Sequence, residues 1–298
     1  MSRSGETGER SWVLEVEDRD RYPFGVPGLD NNINGGAPDG SLVLAAGEAG
    51  AGGREFLYTS ALMNALADTD PDLFDLYYGE LGGAATLAEE IHYVSFTEGE
   101  SSIREEMLYT MDSAIVESGI DWVQFTDLSA EYFQLSPVPR EWYAGERESL
   151  AEMGSSAGDR QDVIEALADH LEEYTPGNIV YVDSLTDLVG VRETDVFEWR
   201  DIIYLLQGLR RAIKSWGGVV VVYVGQEVLS DRRLGDLMAA VDGTMLFEWA
   251  AGGNERARTM VVREFRGVLS ELEGEDIVRF ETDINEGGFD ISNIRKIR

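Results

Sequence analysis

The sequence predicts an α/β fold: a doubly wound, mostly parallel sheet with helices on both faces and an antiparallel, β-rich C-terminal extension. Three observations carry this reading. Short apolar runs of strand length alternate with helical patterns through residues 41–240, the arrangement that buries a parallel sheet between helix layers. The first run, Ser41-Leu42-Val43-Leu44-Ala45-Ala46, leads through Gly47-Glu48-Ala49-Gly50-Ala51-Gly52-Gly53-Arg54 into a helix pattern, which is the strand, loop, helix order of a phosphate-binding loop. Beyond residue 243 the runs read instead as antiparallel strands and turns.

The elements follow in order. A helix opens near Gly53 and carries Phe56, Leu57, Ala61, Leu62 and Leu66 at helical spacing. The acidic stretch 68–90 holds an aromatic cluster, Leu73, Phe74, Leu76, Tyr77 and Tyr78, and reads as an excursion from the core. Ile91 to Phe96 is a second strand, 101–117 a helix, and Trp122 to Thr126 a third strand. The stretch 129–159 contains Pro137, Pro139, Gly145, Gly154 and Gly158, and reads as a loop-rich insertion. An amphipathic pattern spans 161–174, and Asn178 to Asp183 is an apolar run ending in aspartate, as expected of a buried parallel strand. A helix over 197–216, a strand over 218–225 and a short helix at 234–240 complete the alternation. Strands are expected at 244–249, 258–265, 277–282 and 288–291. Residues 1–21 read as an N-terminal tail and 22–298 as one domain.

Composition bounds the function. The chain has 298 residues, a formal net charge of −33 and no cysteine. Disulfides, thiolate metal sites and cysteine nucleophiles are therefore excluded. Lysine occurs only at Lys214 and Lys296. So acidic and lysine-poor a surface is expected of a cytoplasmic protein from an organism with high internal salt. At ~1 M salt the Debye length is about 3 Å, so the charge excess is mostly screened. Nucleic acid is disfavoured as a partner, because non-specific binding depends on counterion release and weakens with salt. The polar start, Met1 to Arg10, lacks a signal-peptide core, and the longest apolar run, Val219 to Val224, is too short to span a bilayer.

The loop is the most informative segment. In the pattern G-x-x-x-x-G-K-[ST], backbone N–H groups cradle phosphate, the lysine reaches the β- and γ-phosphates and the hydroxyl holds Mg²⁺. Gly47 and Gly52 occupy the glycine positions, with Gly50 between them. Gly53 stands where the lysine belongs, and Arg54 where the hydroxyl belongs. Two acids, Glu48 and Glu55, sit where an anion would compete with phosphate for the positive helix N-terminus. Glu55 either satisfies that terminus without nucleotide or merely favours the first helical turn.

Several separated segments resemble one family, the KaiC-like branch of the RecA superfamily of ATPases. Gly25-Val26-Pro27-Gly28-Leu29-Asp30, followed by Asn34-Gly35-Gly36-Ala37-Pro38-Asp39-Gly40-Ser41, is similar to the lead-in to that family's first strand. Tyr93-Val94-Ser95-Phe96-Thr97-Glu98 resembles its second strand, which usually ends in paired glutamates that activate water. Here Glu98 is the one clear acid, with Thr97 at the other position. Val182-Asp183-Ser184-Leu185-Thr186 resembles the Walker B strand, whose aspartate orients Mg²⁺. Glu264-Phe265-Arg266-Gly267 resembles a K-x-R-G segment that in the family reaches the neighbouring subunit's nucleotide; Glu264 replaces its lysine and Arg266 remains. Haloarchaeal transducer-like proteins of the RecA superfamily are similar in composition and frame.

The resemblance implies a RecA-like fold, while the altered residues leave each role with two readings. Arg54 either binds an anion or neutralises Glu48, Glu55 or Asp183 in the vacated pocket. Asp183 either orients Mg²⁺ or caps the turn from Ser184 to Leu188. Glu98 is a vestigial candidate base with no phosphate to attack. Arg266 either projects into a neighbour's site or forms an ion pair. Tyr132, Phe133, Trp142 and Tyr143 either form a docking surface or pack on their own domain. His92 and His170 read as ordinary side chains. No catalytic residue, no metal and no resident cofactor are expected, with ATP and Mg²⁺ at the loop and Asp183 as the alternative. The expected function is a non-hydrolysing signalling or scaffolding protein that binds a protein partner or itself; a nucleotide-binding switch or ATPase is the rival.

Overall fold

The computed structural model describes residues 20–134, 136–143, 163–190, 198–250, 257–266, 268 and 277–295. A two-residue hairpin pairs β1 (Arg21–Tyr22) with β2 (Ala37–Pro38), bracketing helix α1 (Pro27–Asn32). The main sheet has nine strands in the order β11-β10-β9-β8-β3-β7-β6-β4-β5. Its parallel part comprises β3 (Ser41–Gly47), β4 (Ile91–Ser95), β5 (Val123–Asp127), β6 (Ile179–Asp183), β7 (Val219–Gly225) and β8 (Gly243–Trp249). The antiparallel extension is β9 (Arg258–Arg263), β10 (Ile277–Asn285) and β11 (Gly288–Arg295). The doubly wound sheet with a β-rich C-terminal extension is the architecture expected from the sequence, with one correction. β8, read as an antiparallel strand, runs parallel to β3 and turns antiparallel only toward β9, because the chain reaches it through the helix Asp231–Ala240, a crossover rather than a hairpin.

Side chains alternate across a strand, so a strand covered on both faces reads as a continuous apolar run and feeds two cores. In β3, Val43 and Ala45 join the core on one face while Leu42, Leu44 and Ala46 join the core on the other. Its neighbour β7 divides likewise, with Val219 and Val221 opposite Val220, Val222 and Val224. Each such fully buried aliphatic side chain contributes roughly 1.5–3 kcal/mol, so this central pair anchors the molecule.

Helix α2 (Gly53–Thr69) covers the first face and buries Phe56, Leu57, Ala61, Leu62 and Leu66, the spacing read from the sequence. Phe56 packs on Phe247 of β8 and Phe289 of β11, with ring centroids 5.3 and 5.5 Å apart. Thr59 Oγ1 accepts a 2.8 Å hydrogen bond from the Phe289 N–H. The C-terminal strands thus hold the start of α2. After α3 (Pro71–Tyr77), the helix expected over 101–117 is two helices, α4 (Glu100–Thr110) and α5 (Ser113–Gly119). Met111 is extended, and Asp112 caps the second helix by accepting from the Ala114 N–H. This is an aspartate doing what its side chain favours, ending one helix and starting another.

The stretch 68–90 is partly tied to the core. Phe74 and Tyr78 are buried and stack at 4.7 Å, and the Tyr78 hydroxyl donates to Asp30. Asp30, 1% exposed, also accepts from the Phe24 and Val26 N–H groups. Burial raises its pKa to about 7, against the pull of those hydrogen bonds.

The other face carries α6 (Ser129–Phe133), α7 (Val163–Tyr174), α8 (Leu185–Gly190), α9 (Trp199–Trp216) and α10 (Asp231–Ala240). Ile202, Leu206, Leu209 and Ile213 form the buried stripe of α9, and a capping box between Glu198 and Asp201 fixes its start. Helix α10 begins three residues before the apolar pattern, because Ser230 caps it through the Arg233 N–H. Tyr132, Phe133 and Tyr143 pack on one another and Tyr132 lies against Phe96, while Trp142 is 78% exposed. Residues 144–159 of the expected insertion lie outside the described residues. Among the described residues no helix is long and apolar enough to cross a membrane.

Candidate functional site

The parallel strands end in a cleft of about 590 Å³ between the loop after β3, the first turns of α2, the end of α4 and the segments after β6 and β7. In open α/β sheets this carboxyl edge is where ligands bind. The loop itself is held by the C-terminal strands. The Glu48 N–H donates to Phe247 O, and Glu48 Oε2 accepts from the Trp249 N–H at 2.9 Å. Trp249 Nε1 donates to Ala49 O, and Arg258 Nε donates to Gly50 O at 3.0 Å while its guanidinium lies over the Trp249 ring. Gly50 and Gly52 take φ of +70° and +104°, the left-handed region that glycine enters without strain.

Two side chains that the sequence reading did not single out occupy the positions around this loop. The Ala49 N–H donates to Glu227 Oε1, so a carboxylate sits on a backbone donor of the loop. A Cβ built on Gly53 would lie 2.7 Å from Tyr223 Cε2 and 3.4 Å from Phe247 Cδ2, and one on Gly47 would lie 3.2 Å from the Tyr223 hydroxyl. The Tyr223 ring therefore fills the space beside Gly53 into which any side chain there would grow. Burial, with Asp183, Glu55 and Glu227 nearby and against the opposing effect of Arg54, raises the Tyr223 pKa to about 12.

Arg54 joins the predicted acids. Its Nε is 3.1 Å from Asp183 Oδ2, an ion pair without hydrogen-bond alignment, and Nη1 is 3.3 Å from Glu98 Oε1 and 3.8 Å from Glu106 Oε2. Of the three acids weighed for Arg54 from the sequence, Asp183 is the one it pairs with; Glu48 turns to Trp249 instead. Burial disfavours the guanidinium charge, but Asp183, Tyr58, Tyr93 and Glu98 outweigh it and raise the Arg54 pKa.

Asp183 does not cap the turn that follows it. Its Oδ2 accepts a 2.7 Å hydrogen bond from the Tyr93 hydroxyl, and its Oδ1 is buried without a hydrogen-bond partner. Burial raises its pKa, opposed by Arg54 and Tyr93. Glu98 is also shifted up, by burial first and then by Glu106 and Asp183 against Arg54. Glu106 in turn accepts from the Tyr58 hydroxyl.

Arg266 is not brought to this cleft. Its N–H donates to Asp242 O, just before β8 begins, which places it at the opposite edge of the sheet. Its side chain is exposed, and among the described residues it forms no ion pair. Asp242 pairs instead with Arg210 Nε at 3.1 Å and Lys214 Nζ at 3.0 Å. The two histidines, 78 positions apart in sequence, lie with ring centroids 5.6 Å apart beside Tyr174. Among the described residues no group of three or more His, Cys, Asp or Glu is arranged to hold a metal ion.

The fold has a counterpart among solved structures. A crystal structure of a KaiC-like protein from the hyperthermophilic archaeon Pyrococcus horikoshii matches 92% of this chain and 100% of its own, with a TM-score of 0.59 and 16% identity. The chain has a KaiC-like, RecA-type fold. At that identity the likeness speaks for the fold alone. No protein-family model and no curated protein matches the sequence.

The sequence reading assigned no role to Tyr223, Glu227, Glu106, Tyr93 or Tyr58, nor to Asp187, which lines the cleft beside Ser184. A signal existed for two of them. Tyr223 is the one polar side chain in the run Val219 to Val224, and Glu227 lies two residues past the carboxyl end of a parallel strand, the edge where ligands gather.

Proposed function

We propose that this KaiC-like domain has given up ATP hydrolysis and acts through protein contacts, as a signalling or scaffolding component. The observation that carries the reading is Tyr223 packed against Gly53, with Glu227 on the Ala49 N–H beside it. A Mg²⁺-nucleotide needs a cation at the position of Gly53, a hydroxyl at that of Arg54 and open backbone donors in the loop before them. The residues present do not fit it: a phenol ring fills the first place, a guanidinium tied to Asp183 and Glu98 the second, and a carboxylate takes one of the donors. Glu98 belongs to the same ion-pair cluster, and no reaction step is assigned to it.

The test is ATP turnover by the purified protein in molar KCl with Mg²⁺, beside its Asp183→Asn variant. No turnover above the variant's background is expected. Robust hydrolysis abolished by the substitution overturns the proposal. A second reading, a nucleotide-binding switch without fast chemistry, draws on the size of the cleft and on Arg54 at the helix start. It requires ATP binding that weakens in Arg54→Ala.

A further inference from the structure

We propose that the chain pairs with a second copy of itself through the edge strand β5, so that the two sheets join across a two-fold axis at Phe125. The inference goes beyond the proposed function and does not depend on what the cleft binds. The first ground is an open row of backbone groups. β5 ends the sheet and pairs on one side with β4 alone. The Leu128 N–H donates to Ser95 O of β4, and alternate residues of a parallel strand face the same neighbour. Gln124 and Thr126 therefore also turn to β4, while Val123, Phe125 and Asp127 turn outward. The Val123 N–H is taken by Ile120 O. Among the described residues the Phe125 N–H and C=O, the Asp127 N–H and the Val123 C=O have no hydrogen-bond partner. Neither proline nor lysine blunts the strand, whose sequence is Val-Gln-Phe-Thr-Asp.

The second ground is that this edge complements itself. In an antiparallel pair of β5 strands with Phe125 opposite Phe125, Gln124 falls opposite Thr126 and Val123 opposite Asp127. The outward groups of Phe125 then exchange both N–H···O bonds with their counterparts, and each Asp127 N–H meets the Val123 C=O of the other copy. No like charges stand directly opposite one another, which would be destabilising. Charge complementarity comes from Arg104 of α4, whose Cζ lies 5.4 Å from the Phe125 ring centroid on the face that α2 covers. Its Nε pairs with Glu100 and its Nη1 with Asp121, while Nη2 has no partner among the described residues. Asp127 is exposed and shares the Phe125 face by alternation. A diagonal neighbour across an antiparallel pair is about 7–8 Å away, within reach of a long side chain, so Asp127 of the second copy supplies the acceptor for Arg104. Two-fold symmetry makes this ion pair twice.

The third ground is apolar surface at the same edge. Leu108, one helical turn on from Arg104 along α4, and Trp122, next to the first residue of β5, are each 46% exposed. Residues four apart share a helix face, so Leu108 stands on the side of α4 that carries Arg104 to the strand. Covering these side chains adds the burial that backbone pairing alone lacks.

The experiment uses the full chain in molar KCl. Light scattering at submillimolar concentration is expected to give twice the 33.0 kDa of one chain. The register is then read by disulfides, because the chain has no cysteine of its own. Gln124→Cys and Thr126→Cys alter an exposed and a half-buried position, so both variants keep the fold. In the proposed register Gln124 and Thr126 of the two copies are a non-hydrogen-bonded pair with Cα atoms about 4.5 Å apart, inside the range of a disulfide. Each variant alone places its two thiols on the diagonal, about 7–8 Å apart and outside that range. An equal mixture of the two variants, oxidised after exchange, is expected to link about half of its chains, the share found in mixed two-fold pairs, while either variant alone links few. A mass of one chain overturns the inference. So does a dimer whose mixture links no better than the single variants, since it uses another face. Neither result bears on ATP turnover, so failure here leaves the proposed function standing, and turnover of ATP would leave this pairing untouched.

Discussion

Replacing Gly53 by alanine tests the packing on which the functional reading stands. At an open helical site, glycine to alanine stabilises by about 0.4–1 kcal/mol, through helix propensity and a less flexible unfolded chain. Gly208 in α9 and Gly235 in α10 are such sites, because a Cβ there meets nothing within 4 Å. At Gly53, φ is not in the left-handed region, so the backbone accepts alanine, but the Cβ would lie 2.7 Å from Tyr223 Cε2. Overpacking of this kind costs about 1–3 kcal/mol. Net destabilisation of about 1 kcal/mol or more is therefore expected for Gly53→Ala, against stabilisation for Gly208→Ala and Gly235→Ala. For a chain of this size 1 kcal/mol moves Tm by about 2 °C, so denaturant melts at fixed salt are the sharper assay. In a Tyr223→Val background the penalty at position 53 should vanish, giving a coupling energy of about 1–2 kcal/mol in the double-mutant cycle. If Gly53→Ala stabilises as the two control sites do, or the cycle shows no coupling, Tyr223 does not fill the space beside Gly53 and that position is open to a ligand.

Three further outcomes follow from the same structure. Arg54→Ala leaves Asp183 buried without its cation and should cost about 3 kcal/mol in equilibrium unfolding, the low end for a broken buried pair because Arg54 is 34% exposed; a loss under 1 kcal/mol contradicts the pairing. Asp30, raised to about 7, binds its proton more tightly folded than unfolded, so its contribution to stability is present at low pH and is lost as pH rises from about 4 to 7. His170, lowered to about 4 by burial and then by His92, has the opposite sign: its contribution is present above about 6.5 and is lost as pH falls toward 4. Unfolding free energy measured from pH 4.5 to 6.5 should therefore slope more steeply upward in Asp30→Asn than in wild type and less steeply in His170→Gln, each by at most about 1.4 kcal/mol per pH unit. Identical slopes in all three proteins would show that neither group is shifted.

The sequence announced the strands and their wrapping because burial on both faces leaves uninterrupted apolar runs, as in Ser41 to Ala46 and Val219 to Val224. It also placed the loop, since glycine at positions 50 and 52 is needed where φ is positive. What it concealed was partnership across the chain. Glu227 reaches Ala49 over 178 positions, and Glu106 meets Tyr58 from a different helix. Such contacts depend on which strands end side by side, and β3 and β7 are neighbours only because the chain crosses over between them. Tyr223 reads as one more core residue until its ring is seen against Gly53. The break at Met111 and Asp112 was legible in principle, since aspartate favours a helix start, but the apolar spacing of Ile103, Met107, Ile115 and Val116 masked it.

The most direct measurement is a thermal-shift titration of the purified protein in molar KCl with ATP and Mg²⁺. A ligand that binds only the folded state adds about 2.7 kcal/mol to stability at 100 times its dissociation constant. No shift up to millimolar ATP is expected, because Tyr223 fills the space beside Gly53, Glu227 takes the Ala49 N–H and Arg54 is paired with Asp183. A saturable upward shift that Arg54→Ala weakens would contradict this account and restore the domain to the nucleotide-binding proteins.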